Sequence, residues 1–491
     1  MSTPLRTLLT AALSCGLVLV AAISRAHAAD STALTIYPAQ QQDLFMPGDF
    51  ATQSGYALVH QQRTFTLHAG MQTLTLQGLA ARLDASALLL QFPAASDVRF
   101  AGLRVLPPVH GVAALLQQAI GAKVTVSNAQ GAALVSGKLR AVDGARLLVE
   151  AASGALHLVS GDVALPAGLK LGAPGQQAQV SVDAPHAGSY RAELVYPTAG
   201  LGWRPDYALM LNSGTSCRGT LEARATLANH SGTRFDDAHI TLLAGTVHAP
   251  AGMIAMGTPR LMAAPAEAAA PAPPAQSGLG DYRSYRLAVP LSLAVGAVVQ
   301  VPLYAPHNLA CAHAAVFGDA MPPGWSPQQP DFNPDNHHAE SGNPRIEITF
   351  TAPQNLPSGE ARVYLPDADG SLQFIGASGI DNARKGDRVV LVPGNAYALK
   401  VTRSRTHWQV DGKVLTEGLR YTLSNTSRSA RTITVYTHPQ RWREWMLLHS
   451  APQPVARSVD TLMWRVRVPA EGSANIDYTL RYDAADAPAP R

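Results

Sequence analysis

The segment Asp331-Phe-Asn-Pro-Asp335-Asn-His337-His338-Ala-Glu340 places two adjacent imidazoles among carboxylates. Imidazole and carboxylate are ligands that zinc and copper accept, so Asp335, His337, His338 and Glu340 form the candidate metal set. Their spacing matches no established site. On an extended strand His337 and His338 would point to opposite faces, and a solvated polar loop is the alternative reading. Asp236-Asp237 with His239 offers a weaker version of the same chemistry and reads as a turn before a strand. The nearest approach to a nucleophile motif is Gly376-Ala-Ser378-Gly379-Ile, which lacks the final glycine of Gly-x-Ser-x-Gly and leads into no helix. There is no His-Glu-x-x-His, no phosphate-binding Gly-x-x-x-x-Gly-Lys and no EF-hand loop. No catalytic residue and no cofactor is therefore assigned, although a site assembled from distant residues needs no local motif. Trp442 and Trp445, with Arg441 and Arg443 between and beside them, are the candidate binding surface for a sugar ring or a partner. The alternative is that the two indoles are buried.

The compartment in which any such chemistry would run is written in the first 28 residues. Arg6 precedes an apolar run from Leu8 to Ile23, and Ala26-His27-Ala28 supplies small residues for cleavage. This is the pattern of a secretory signal peptide over 1–28. The run is short for a membrane anchor, which takes about 20 apolar residues, and Ala12-Leu13-Ser14 before Cys15 is a poor lipidation signal. Export would place the mature chain in the periplasm or beyond it. Cys217 and Cys311 would then be the two remaining cysteines, free to form a single disulfide in an oxidising compartment. Neither belongs to a Cys-x-x-Cys redox pair.

The elements that must position these groups are strands. Tyr56-Ala-Leu-Val-His60, Thr73-Leu-Thr-Leu76, Arg362-Val-Tyr-Leu365 and Thr432-Ile-Thr-Val-Tyr436 alternate with period two. Clusters of Gly, Pro, Asn and Asp separate such runs, which predicts an all-β chain. One short helix is predicted over Val112–Ile120, with Val112, Leu115, Leu116 and Ile120 on one face and Gly121 as its stop. An outer-membrane barrel would need aromatic girdles. Aromatic residues are only 6% and prolines interrupt many strands, so soluble β-domains are expected. No segment after the leader is apolar enough to span a bilayer as a helix.

Composition breaks suggest an N-terminal β domain over 29–108 and a small SH3-like or Sm-like barrel with a short leading helix over 109–172. Two β-sandwich lobes would follow, over 175–317 and 344–485. A Pro/Ala-rich stretch, 262–277, reads as a loop or spacer within the first lobe. Removing residues 1–28 takes away Arg6 and Arg25 and no acidic residue, so the formal charge falls from +4 to +2. So small a charge gives no electrostatic handle for nucleic acid.

Gly202-Trp203-Arg-Pro205-Asp-Tyr207, Leu221 to Gly232 with its Asn229-His-Ser231-Gly232 ending, and Ala238 to Gly245 occur in that order. Leu356-Pro-Ser-Gly359 to Tyr364, Phe374-Ile-Gly376, Gly394-Asn-Ala and Asn475-Ile-Asp-Tyr478 follow. This series resembles the bacterial family catalogued as domain of unknown function 4139 (DUF4139), over about 175–482, and Leu34-Thr-Ile-Tyr37 fits the same architecture. Some members are labelled mucoidy-inhibitor-like, which implies a connection with envelope polysaccharide. The family brings no established reaction, cofactor or catalytic residues. The chain lacks the long coiled coil of some members and has the small barrel in its place. Read without the family, Trp203 and Tyr207 share one strand face and belong to a core, and Asn229 to Gly232 is a turn.

These observations lead to the expectation of an exported periplasmic or cell-envelope protein that binds or scaffolds through β-sandwich surfaces. An envelope protein or polysaccharide is the expected partner. The alternatives are an envelope hydrolase or metal-dependent enzyme with a composite site, and a non-catalytic carbohydrate-binding protein.

Overall fold

The computed structural model describes residues 30–48, 50, 52–109, 111–167, 175–214, 216–245, 275–279, 282–319, 327–337 and 339–487. The leader, most of the Pro/Ala-rich stretch and His338 lie outside these residues. Strands make up 63% of the chain and helices 4%, so the protein is all-β. No helix among the described residues is long and apolar enough to cross a membrane.

The chain folds into two compact units that interleave along the sequence. The first comprises residues up to Leu34, Leu58–Ala199 and Ser231–Ala238. Within it, Gly175–Ala184 is the central strand of a three-stranded antiparallel sheet, flanked by Gly70–Leu79 and Arg99–Val109. Alternation explains its burial: Ala178, Val180, Val182 and Ala184 face the interior together with Leu74 and Leu76.

A five-stranded antiparallel sheet follows in the same unit, built from Lys123–Ser127, Ala133–Asp143, Arg146–Ala151, Leu156–Val159 and Asp162–Ala164. The last strand returns to pair with the first, so the order is fifth, first, second, third, fourth. Val124, Val126, Leu139, Leu147 and Val149 form its core. The helix ahead of it spans Gly111–Gln118 and contributes differently from the predicted stripe. Val112 and Ile120 are exposed, while Ala119 is fully buried and Leu116 packs beside the core. The helix ends at Gln118, so Ile120 lies beyond its last turn and off its periodicity.

The second unit comprises Thr35–Ala57, Gly200–His230 and His239–Arg491. Its ten-stranded sheet includes Leu372–Ile380, Gly359–Pro366, Leu201–Leu211, Arg218–Asn229, Ala297–Phe317, Arg431–Thr437 and Leu462–Val468 as successive neighbours. Leu201–Leu211 pairs in parallel with Gly359–Pro366, and Ala297–Phe317 in parallel with Arg431–Thr437. Strands from 175–317 and from 344–485 therefore share one sheet. The 21-residue strand Ala297–Phe317 makes this possible, with Arg218–Asn229 along its first part and Arg345–Thr351 along its second.

A five-stranded sheet packs on the far end of this large one. Its order is Glu340–Gly342, Leu399–Asp411, Val414–Asn425, Gly472–Asp483, Trp445–Ala451. Leu415, Leu423, Ile476 and Leu480 from the smaller sheet share a core with Ile433, Val435, Trp464 and Val468 from the larger. Two sheets burying alternate residues against one another make a β-sandwich. Cys217, just ahead of the strand Arg218–Asn229, forms a disulfide with Cys311 on the neighbouring strand, with their Cα atoms 4.9 Å apart. The Cys311 N–H also donates to the Cys217 carbonyl at 3.0 Å.

Candidate functional site

The strand Leu201–Leu211 builds a cleft because it changes partner along one edge. The Trp203 carbonyl accepts from the Ala39 N–H at 2.9 Å, and the Trp203 N–H donates to the Tyr37 carbonyl at 3.3 Å. From Asp206 onward, register with Glu360 begins and Gly359–Pro366 takes over. Pro205 stands at the changeover. It has no N–H, so the gap between successive partners leaves no donor of that residue unsatisfied.

Each residue of Gly202-Trp-Arg-Pro-Asp-Tyr207 has a separate task here. A Cβ at Gly202 would lie 2.5 Å from Leu44 Cδ2 and 2.7 Å from Ala39 Cβ, so only glycine admits the Tyr37–Leu44 segment this close. Trp203 is fully buried and its indole N–H donates to the Leu243 carbonyl at 2.8 Å. Tyr207 is buried on the same face and its hydroxyl donates to the Pro357 carbonyl at 2.7 Å. Burial, followed by the nearby Tyr285 and Asp206, pushes the Tyr207 phenol well above its ordinary pKa. It therefore remains a donor at any physiological pH.

Arg204 and Asp206 alternate with these residues and face the opposite way. Asp206 is 7% exposed. It accepts from Arg204 Nε at 3.4 Å, from Arg362 Nη1 at 3.3 Å and from the Thr226 hydroxyl. Arg362 Nη2 also pairs with Glu360 at 2.6 Å. The Arg204 guanidinium lies over the Phe45 ring, 4.4 Å from its centroid. The cleft has a volume of about 430 Å³, and its other wall is formed by Ala377, Ser378 and Gly379. That volume falls within the range of about 300–1,000 Å³ typical of small-molecule sites.

The cleft presents fixed donors and acceptors. Asp206 and Glu360 are each ion-paired with arginine. The Ser378 hydroxyl accepts from the Val392 N–H at 3.0 Å, and among the described residues no imidazole lines the cleft beside it. Gly359 holds the cleft's geometry, because a Cβ there would sit 2.4 Å from the Pro205 carbonyl oxygen. Gly359→Ala is expected to cost about 1–3 kcal/mol through overpacking. Chemical denaturation of the two proteins measures this, and an unchanged midpoint would contradict the close-approach argument.

The histidine-containing loop has a structural anchorage that its sequence does not reveal. Arg441 is 1% exposed and reaches into the loop from the sandwich. Its guanidinium donates to the carbonyls of Asn333, at 2.7 Å, and of Asn336, and pairs with buried Glu417 at 2.9 Å. Arg403 donates to the His337 carbonyl at 3.0 Å, and Arg405 donates to that of Pro334. His337 Nε2 lies 3.3 Å from Asp331, whereas Glu340 sits on a strand and pairs with Arg403 at 3.5 Å. The Asp335 N–H donates to the Asn333 side chain. No group of three or more His, Cys, Asp or Glu able to hold a metal occurs among the described residues.

Asp331 titrates as part of this loop. Burial opposes its ionisation, but hydrogen bonds from the Asn336 side chain and the Asn333 N–H, with the charges of Arg441 and His337, outweigh it and lower its pKa from 3.8. A carboxylate with a lowered folded-state pKa stabilises the fold above its unfolded value, and that contribution is lost as pH falls through the folded one. Asp331→Asn is expected to flatten the acid limb of the stability–pH profile below about pH 4. Parallel acid-denaturation curves for variant and parent would contradict this.

Of the two readings of the tryptophan pair, Trp442 follows burial. It is fully buried in the sandwich core, with Arg443 over its ring at 4.7 Å. Trp445 is half-buried; its indole N–H donates to the Val459 carbonyl at 2.7 Å and Arg457 covers its ring. The strand starts only at Trp445, so the two indoles do not share one strand's register. Asp236 and His239 lie within the strand Phe235–Ala244 instead of in a turn before it, and Asp236 pairs with Arg234. The cleft residues Arg204, Asp206, Glu360 and Arg362 were not singled out from the sequence. The available signal was polar alternation within Gly202–Tyr207. In comparisons with known proteins, the chain matches no protein-family model, no curated protein and no solved structure.

Proposed function

We propose that this chain is an exported cell-envelope protein, related to the DUF4139 group, that works by binding and not by catalysis. The cleft at the strand changeover is its principal recognition site. The observation that carries this reading is the state of the cleft's central carboxylate: Asp206 is buried and held by Arg204, Arg362 and Thr226 together. A general acid or base must reach the proton it transfers, and Asp206 is committed to neighbours already. What remains is a rigid set of polar groups on adjacent strands, which is the makeup of a specific binding site. Export is supported by the leader pattern, and kinship by the ordered matches from Gly202 to Tyr478.

The test is to incubate purified protein with fractionated envelope material and to measure both retention and product formation. Retention of an envelope component in unaltered form, without added metal or cofactor, is the expected result. Release of shortened glycan or peptide that is lost in Asp206→Asn would overturn the reading in favour of a hydrolase.

A further inference from the structure

Arg204 is the one cleft arginine whose terminal nitrogens are uncommitted among the described residues. Its Nε contacts Asp206 and its plane rests on Phe45, which fixes the guanidinium without engaging either Nη. Both Nη groups of Arg362, by contrast, are ion-paired, one with Asp206 and one with Glu360. The side chain of Arg204 is 29% exposed and lines the cleft. An aromatic-backed guanidinium loses little further freedom when it donates to a ligand, because its plane is already set.

The surrounding charge selects what that ligand can be. Two guanidinium groups face Asp206, Glu360 and the exposed rim residue Asp381. An anion entering the cleft meets this excess of carboxylates, and a cation meets the Arg204 donors. An uncharged group that both accepts and donates hydrogen bonds satisfies the site as it stands, and hydroxyl does so. Pro38, Pro205 and Ile380 supply apolar surface beside the polar groups, and Ala377 to Gly379 leave room opposite.

Resting on the binding role proposed above, we infer that the cleft takes an uncharged saccharide, with Arg204 donating from its Nη groups to ring hydroxyls. Neither a uronate nor a peptide offers the same match of dense hydroxyl groups to a cleft whose Asp206 and Glu360 carboxylates are already paired.

The experiment is calorimetric titration of the full exported protein with neutral hexose and N-acetylhexosamine trisaccharides, and with hexuronate trisaccharides as the charged comparison. At least one neutral trisaccharide is expected to bind, with affinity reduced tenfold or more in Arg204→Gln. Gly379→Leu provides a second variant, since a Cβ there meets nothing within 4 Å and Gly379 lines the cleft opposite Glu360, so a larger side chain takes up cleft space. It is expected to reduce binding similarly, whereas Arg420→Gln, which alters an exposed pair with Asp477 in the five-stranded sheet, leaves binding unchanged. Preference for the hexuronate, or equal affinity in Gly379→Leu, would overturn the inference while leaving a binding role intact. Absence of binding by every trisaccharide would overturn it too, and the retention experiment on envelope fractions then decides the binding role separately.

Discussion

Arg441→Ala is expected to destabilise the second unit by about 3–5 kcal/mol, the usual cost of leaving one partner of a buried ion pair uncompensated. Glu417, 2% exposed, would then lie in the sandwich with Arg405, 3.8 Å away, as its one remaining ion-pair partner among the described residues. The loop carbonyls of Asn333 and Asn336 would lose the guanidinium donor in the same step. Trp408 would also lose one of its two cations, since Arg441 and Arg405 lie 4.8 and 4.6 Å from its ring. The double replacement Arg441→Met with Glu417→Leu is expected to recover a large part of the loss, because a buried pair exchanged for apolar groups of similar volume is often neutral. Denaturation followed by tryptophan fluorescence measures both. Equal stability of Arg441→Ala and the parent would show that the clasp contributes nothing, and a double variant as weak as the single would locate its contribution in the loop carbonyls.

Loss of the Cys217–Cys311 disulfide is expected to cost about 2–5 kcal/mol. The bond closes a long loop, with a sequence separation of 94, and so restricts the unfolded chain strongly. The folded strands already hold the two residues together through the Cys311 N–H to Cys217 carbonyl bond, so the native arrangement survives reduction. Melting under reducing conditions should therefore lower the midpoint while leaving the native β-sheet spectrum unchanged. A Cys217→Ala, Cys311→Ala double variant should melt at that lower midpoint with or without reductant. Identical midpoints for oxidised and reduced parent would contradict the role assigned to the bond.

The β architecture was legible because alternation is a local property. Val414–Asn425 and Gly472–Asp483 show it directly, with successive residues turned toward and away from the shared core. Trp203 and Tyr207 could be assigned to one buried face by the same argument. Partnership between strands is a different matter. Asp206 and Arg362 stand 156 residues apart and meet only because Leu201–Leu211 pairs in parallel with Gly359–Pro366. Period two tells which face a side chain takes and not which strand lies alongside, so the cleft had no local signature. The loop at Asp331–His337 shows the same limit from another side. Its residue types suggest a metal set or a solvated polar loop, whereas the groups that place it are Arg403, Arg405 and Arg441, none of which the segment itself contains. Burial of Arg441 follows from carbonyl and carboxylate partners distant in sequence, and a hydropathy reading counts such a residue as surface. Trp442 is hidden by the same packing.

The most direct test of the binding account is hydrogen–deuterium exchange on the full exported protein with and without the neutral trisaccharides, followed by mass analysis of the recovered sugar. The account predicts added protection in peptides spanning 203–206, 358–362 and 377–381, with the sugar recovered intact. Protection confined to other segments, or sugar returned in shortened form, would contradict it.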